Sequence, residues 1–119
     1  MKLIVDVKVT DLERAVSFYT EVLGLPCRIR AEGWAGIVVG DAEIHLYKDG
    51  GVTDGVEFYV DDIDAVVARL MAVSVQFISG MDKPDAQTFE GGITTFPWGR
   101  LAYFRDSEGN ELALVKDFA

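Results

Sequence analysis

The sequence is poor in three residue types: one cysteine, one histidine and three prolines among 119 residues. A single thiol, Cys27, cannot form an internal disulfide. Stability must then come from a packed core, and a reducing compartment such as the cytoplasm is the expected location. No apolar run approaches the ~18 residues of a membrane-spanning helix. No basic start leads into an apolar stretch, so neither a signal peptide nor a membrane contact is expected. Positive charge is also scarce, with 11 Lys plus Arg against 20 Asp plus Glu and a net charge of −9. That surface repels a phosphate backbone, so no nucleic-acid partner is expected. It suits a cationic ligand or a metal ion, and it also favours solubility. Phosphate-cradling loops, Ser-His-Asp orders and CxxC pairs are missing.

What is present is a folded-domain composition, with 50% hydrophobic residues. A chain of this length buries most of its apolar surface in one domain. Leu3, Val5, Val7 and Val9 alternate with Ile4, Asp6 and Lys8, the pattern of a strand with one apolar face. Asp11 then precedes Leu12, Ala15, Val16, Tyr19, Val22 and Leu23, one stripe of a helix. Asp11 or Thr10 can cap that helix, and Gly24 with Pro26 ends it. Alternation predicts further strands at Cys27–Ala31, Trp34–Val39 and Ala42–Tyr47. The Gly-rich stretch Lys48–Asp54 reads as a linker.

From Gly55 the pattern restarts. Val56, Phe58 and Val60 repeat Val5, Val7 and Val9, and Asp62 repeats Asp11 as a cap. Ile63, Val66, Val67 and Leu70 fall on the helix stripe. Strands are predicted at Val75–Ile78, Ile93–Phe96, Arg100–Arg105 and Glu111–Val115, and Ser79–Gly92 reads as a mobile loop or lid. The expected architecture is α+β: two βαβββ modules, 1–50 and 55–119, linked by 48–54. The two modules would form one domain whose paired curved sheets, antiparallel or mixed, enclose a cavity.

Three stretches, DLERAVSFYTEVLGL, VDDIDAVVARL and PWGRLAYFRDSEGNELAL, resemble the opening helix, second helix and closing hairpin of the vicinal oxygen chelate superfamily. That family comprises glyoxalase I, extradiol dioxygenases and bleomycin-resistance proteins. The closing turn of the family is commonly Asp-Pro-Asp-Gly-Asn, and here Ser107 and Glu108 replace its Pro and second Asp. The resemblance implies a homodimer. It also implies a divalent metal held at four positions, which here are Ile4, His45, Gly55 and Ala113. Three of these lack a donor atom, and one histidine cannot hold a catalytic ion. No metal and no other cofactor is therefore the favoured reading. The alternative is a hard-cation site from Asp6, Glu43, Glu57 and Glu111, with His45, one strand step further along the same face. Otherwise these carboxylates point to solvent or pair with Lys8, Arg28 or Arg30.

As the only histidine, His45 is the candidate catalytic residue, as base, proton shuttle or ligand. Cys27 reads as a buried, inert thiol. Aromatic residues supply the other signal. Tyr47 and Tyr59 share a face with His45 and Glu57, Trp98 sits in a Pro-Trp-Gly kink, and Tyr103 lies on a strand. Trp34 reads as an ordinary core or interface residue. An aromatic wall with carboxylates suits a flat or cationic organic molecule. The expected function is metal-independent binding of a small aromatic, cationic compound, in the manner of bleomycin-resistance-type sequestration. Its expected binding residues are His45, Tyr47, Glu57, Tyr59, Trp98 and Tyr103. The alternative is a metal-dependent enzyme of the glyoxalase or dioxygenase type.

Overall fold

A computed structural model describes every residue, Met1–Ala119, and divides the chain into two units. The first comprises Met1–Asp54 with Asp106–Asn110, and the second Gly55–Arg105 with Glu111–Ala119. The fold is α+β, with one sheet in each unit.

The first unit holds β1 (Ile4–Lys8), α1 (Leu12–Ser17), β2 (Cys27–Ala31), β3 (Trp34–Val39) and β4 (Ala42–Tyr47). Its sheet runs β1-β4-β3-β2, with β1 parallel to β4 and the other pairs antiparallel. Val7, Leu46 and Ala35 make one cross-strand row, and Val5, Ile44 and Ile37 the next. These rows form the apolar face, and α1 packs across β3 and β4. Ala15 and Tyr19, one helical turn apart, are fully buried. Leu3 lies outside β1 and is exposed, so the apolar face of that strand begins later than its alternation predicts.

Asp11, not Thr10, caps α1, its side chain accepting the Arg14 N–H at 3.1 Å. After Ser17 the helix widens into a π turn, Phe18–Val22, where the Leu23 N–H reaches the Phe18 carbonyl at 3.0 Å. The closing-hairpin turn supports the same helix. Glu108 accepts from the Thr10 N–H (2.9 Å), the Asp11 N–H (2.8 Å) and the Arg14 guanidinium (2.8 Å). Nearby, the buried Tyr19 hydroxyl donates to Asp106 at 2.7 Å. Burial alone would raise the Glu108 pKa, but Arg14 and the two amide donors hold it at about 2.

The stretch read as a linker is not free. Val52 runs beside β1, accepting from the Lys8 N–H at 3.0 Å and donating to the Asp6 carbonyl at 2.8 Å. Gly51 permits this approach: its φ is +136°, and a Cβ there would lie 2.7 Å from the Asp6 carbonyl oxygen.

The second unit holds β5 (Val56–Tyr59), α2 (Ile63–Ala72), β6 (Thr88–Glu90), β7 (Ile93–Phe96), β8 (Gly99–Arg105) and β9 (Glu111–Asp117). Its sheet has five strands, β5-β9-β8-β7-β6, one more than the repeat predicts. Asp62 caps α2 through the Ala65 N–H at 3.0 Å, and the helix packs on β8 and β9. The predicted strand Val75–Ile78 does not form. Only Ile78 bridges, its N–H meeting the Tyr103 carbonyl at 2.8 Å, because β7 already pairs along β8. The predicted loop Ser79–Gly92 is partly a hairpin. Glu90 pairs with Ile93 across Gly91 and Gly92, whose φ values of +58° and +84° fit a two-residue turn that only glycines adopt freely.

Candidate functional site

The face of the first sheet opposite α1 carries two polar rows. One is Asp6, His45 and Gly36, and the other Lys8, Tyr47 and Trp34. Period-two alternation places them together, because each is one step from a core residue. Asp6, Trp34, His45 and Tyr47 line a hollow of about 300 Å³. That is the lower end of small-molecule pocket sizes. The indole of Trp34 and the imidazole of His45 lie 4.7 Å apart at 38°.

Beside His45 sits Glu43, fully buried. Arg28 grips its carboxylate from both sides, Nε to Oε2 at 2.9 Å and Nη2 to Oε1 at 2.7 Å. Lys2 pairs with the same group, and His45 Nε2 stands 3.1 Å from Oε1. Arg28 first, then Lys2 and His45, hold the Glu43 pKa down at about 2 despite the opposing cost of burial. Room for the carboxylate comes from Gly36, since a Cβ there would collide with Oε1. On the other side of the imidazole, Nδ1 is 4.0 Å from Asp6 Oδ1.

The structure thus brings His45 and Tyr47 together, adds Asp6, and adds Trp34, which sequence reasoning assigned to a core or an interface. The missed signal is that Trp34 and Tyr47 occupy facing ends of a short hairpin, so they are cross-strand partners. Cys27 is exposed rather than buried, because β2 is the free edge of the sheet.

The remaining candidates lie on the second sheet. Glu57, Ala113 and Tyr103 are neighbours across β5, β9 and β8. Tyr103 is 8% exposed and joins an apolar cluster with Phe96, Leu101 and Ala113. Ile78 and Ala86 pack on that cluster, and Lys83 Nζ sits 4.6 Å above the Tyr103 ring and 3.6 Å from Glu111. Burial first, then Glu57 and Glu111, pushes the Tyr103 hydroxyl up to about 12. The Tyr59 hydroxyl donates to Asp117 at 3.1 Å and accepts from Lys116 at 3.0 Å. Trp98 is half exposed, stacked on Phe96 at 5.1 Å and 17°.

The family's four metal positions do not supply a donor set for a divalent ion here. Ile4, Gly55 and Ala113 offer no donor atom. Within neither unit do three His, Cys, Asp or Glu side chains converge. Glu43, the best-placed carboxylate beside His45, is committed to Arg28 and Lys2. Register also puts Asp6 beside His45, whereas Ile4 stands beside Glu43.

Comparison with known proteins defines the family. The family model of the Glyoxalase/Bleomycin resistance protein/Dioxygenase superfamily matches residues 4–114, and the chain belongs to that superfamily. Among solved structures it is similar to TnmS3, an antibiotic binding protein from Streptomyces sp. CB03234. Identity is 26% and the TM-score 0.77, covering 98% of this chain and 95% of that one. A glyoxalase/bleomycin resistance protein from the same organism is 28% identical, with a TM-score of 0.71 and coverage of 97% and 98%. A lactoylglutathione lyase from Agrobacterium tumefaciens shares the fold at 21% identity, TM-score 0.74, with 95% and 90% covered. No curated protein matches significantly. No helix is long and apolar enough to cross a membrane.

Proposed function

We propose that the chain binds a small aromatic, cationic compound without a metal, and sequesters it rather than transforming it. One observation carries this reading: a hollow walled by Trp34, His45 and Tyr47 with the carboxylate of Asp6 on its rim. Aromatic faces attract flat rings and cations, and a carboxylate adds charge matching. The net charge of −9 draws cations towards the protein at long range. The likeness to an antibiotic binding protein at 26% identity supports binding of a small molecule. Metal independence is supported by the commitment of Glu43 to Arg28 and Lys2. We further place the protein in the cytoplasm as a homodimer.

The test is a titration of the purified protein with a panel of cationic aromatic compounds, read by tryptophan fluorescence and thermal shift. Saturable quenching with a raised melting temperature is expected. No response to any of them, or a stoichiometric divalent ion whose removal by chelator abolishes binding, would overturn the reading.

A further inference from the structure

The position of the proton on His45 follows from its neighbours. Glu43 is held ionised by Arg28 and Lys2, so its Oε1 can only accept. His45 Nε2, 3.1 Å away, must therefore be the N–H that donates to it. In the neutral imidazole this leaves Nδ1 as a bare acceptor. Nδ1 faces Asp6 Oδ1, a second acceptor, across 4.0 Å. That distance exceeds a hydrogen bond, and two lone pairs gain nothing from each other. No hydrogen bond binds the Asp6 carboxylate, whose side chain is 57% exposed. The hollow thus presents two convergent acceptors with no donor between them. A nitrogen carrying at least two protons can donate to both at once, at charge-assisted distances of about 2.8 Å each.

We infer that the hollow is selective for protonated primary or secondary aromatic amines. The ammonium nitrogen bridges Asp6 Oδ1 and His45 Nδ1, and the ring packs on Trp34. The inference rests on the binding reading above and narrows its ligand class. Quaternary ammonium ions carry the same charge but no N–H, so they forfeit both bonds. Neutral amides lose the charge as well. The groups around the imidazole are Asp6 from β1, Glu43 and Tyr47 from β4, and Trp34 from β3, with Arg28 from β2 and Lys2 reaching Glu43 behind it.

The experiment is nuclear magnetic resonance on ¹⁵N-labelled full-length protein, in which His45 is the only histidine. Ring nitrogen shifts are expected to place the proton of the neutral ring on Nε2, which faces Glu43 Oε1 at 3.1 Å. The probes are phenethylamine, its N,N,N-trimethyl derivative and its N-acetyl derivative. Phenethylamine is expected to shift Nδ1 of His45 and the Trp34 indole, and to bind about ten- to a hundredfold more tightly than either derivative. Asp6→Asn, at an exposed position, is expected to erase most of that preference. An Nδ1–H tautomer, or equal binding of the trimethyl derivative, overturns the inference while leaving aromatic-cation binding intact. If no cationic aromatic compound of any kind binds, the binding reading and the inference fall together.

Discussion

The carboxylate of Glu43 fills the space that a side chain at position 36 would occupy, so Gly36 and Glu43 form one packing unit. The pair explains a glycine in the middle of β3, where glycine otherwise weakens a strand. It also explains how an ionised acid can be buried on the polar face of the sheet: Arg28 and Lys2 match its charge, and Gly36 makes its room.

Gly36→Ala is therefore expected to push Glu43 away from Arg28 and His45. Overpacking of this kind costs about 1–3 kcal/mol. A lowered denaturation midpoint together with weakened amine binding is the expected result. An unchanged protein would mean that Glu43 can move aside freely.

Trp34→Ala is expected to weaken aromatic-cation binding about tenfold, roughly the value of one cation–π contact. Stability should change little, because Trp34 is only half buried at the rim of its sheet. Calorimetric titration beside a thermal melt separates the two effects. Equal affinity would place the ligand elsewhere.

Stability should depend on acid in a particular window. Glu43 and Glu108 both titrate at about 2 in the folded chain, against 4.5 for an ordinary glutamate. The unfolded chain takes up these protons first, so the stabilisation is complete above about pH 4.5 and is lost as pH falls towards 2. Melting temperature measured between neutral pH and pH 2 should fall within that window. Glu108→Gln should flatten part of the slope, since the amide keeps the shape but not the charge at the start of α1.

Gly80→Ala should destabilise the second unit. A Cβ there would lie 2.6 Å from the buried Tyr103 ring, and Thr94 Oγ1 accepts the Gly80 N–H at 2.9 Å. A cost of about 1–3 kcal/mol is expected. Hydrogen exchange would show it as earlier opening of the Ser79–Ala86 segment. No change in protection would mean that this segment does not pack firmly on the sheet.

Much of the fold is legible in local chemistry. Alternating strands, the Asp11 and Asp62 caps and the restart at Gly55 all reflect short-range rules. The site is only partly legible. His45 and Tyr47 share a strand face, so alternation alone pairs them. Gly91-Gly92 carried a hairpin signal that the polar surroundings obscured. The role of Glu108 was hidden for a different reason: its partners Thr10, Asp11 and Arg14 lie almost the whole chain away.

The sequence by itself determined the number and type of most elements, because caps, turns and periodicity act over a few residues. It also determined the acidity of the chain and the lack of donor atoms at Ile4, Gly55 and Ala113. Only tertiary structure decided which polar groups meet. Register between β1, β4 and β3 placed Asp6 beside His45 and Trp34 beside Tyr47. The free edge of the first sheet let Arg28 reach Glu43, and the same carboxylate stands 3.1 Å from His45 Nε2. A one-residue slip in any of those strands would turn these side chains to the other face, which is why no local pattern could have stated them.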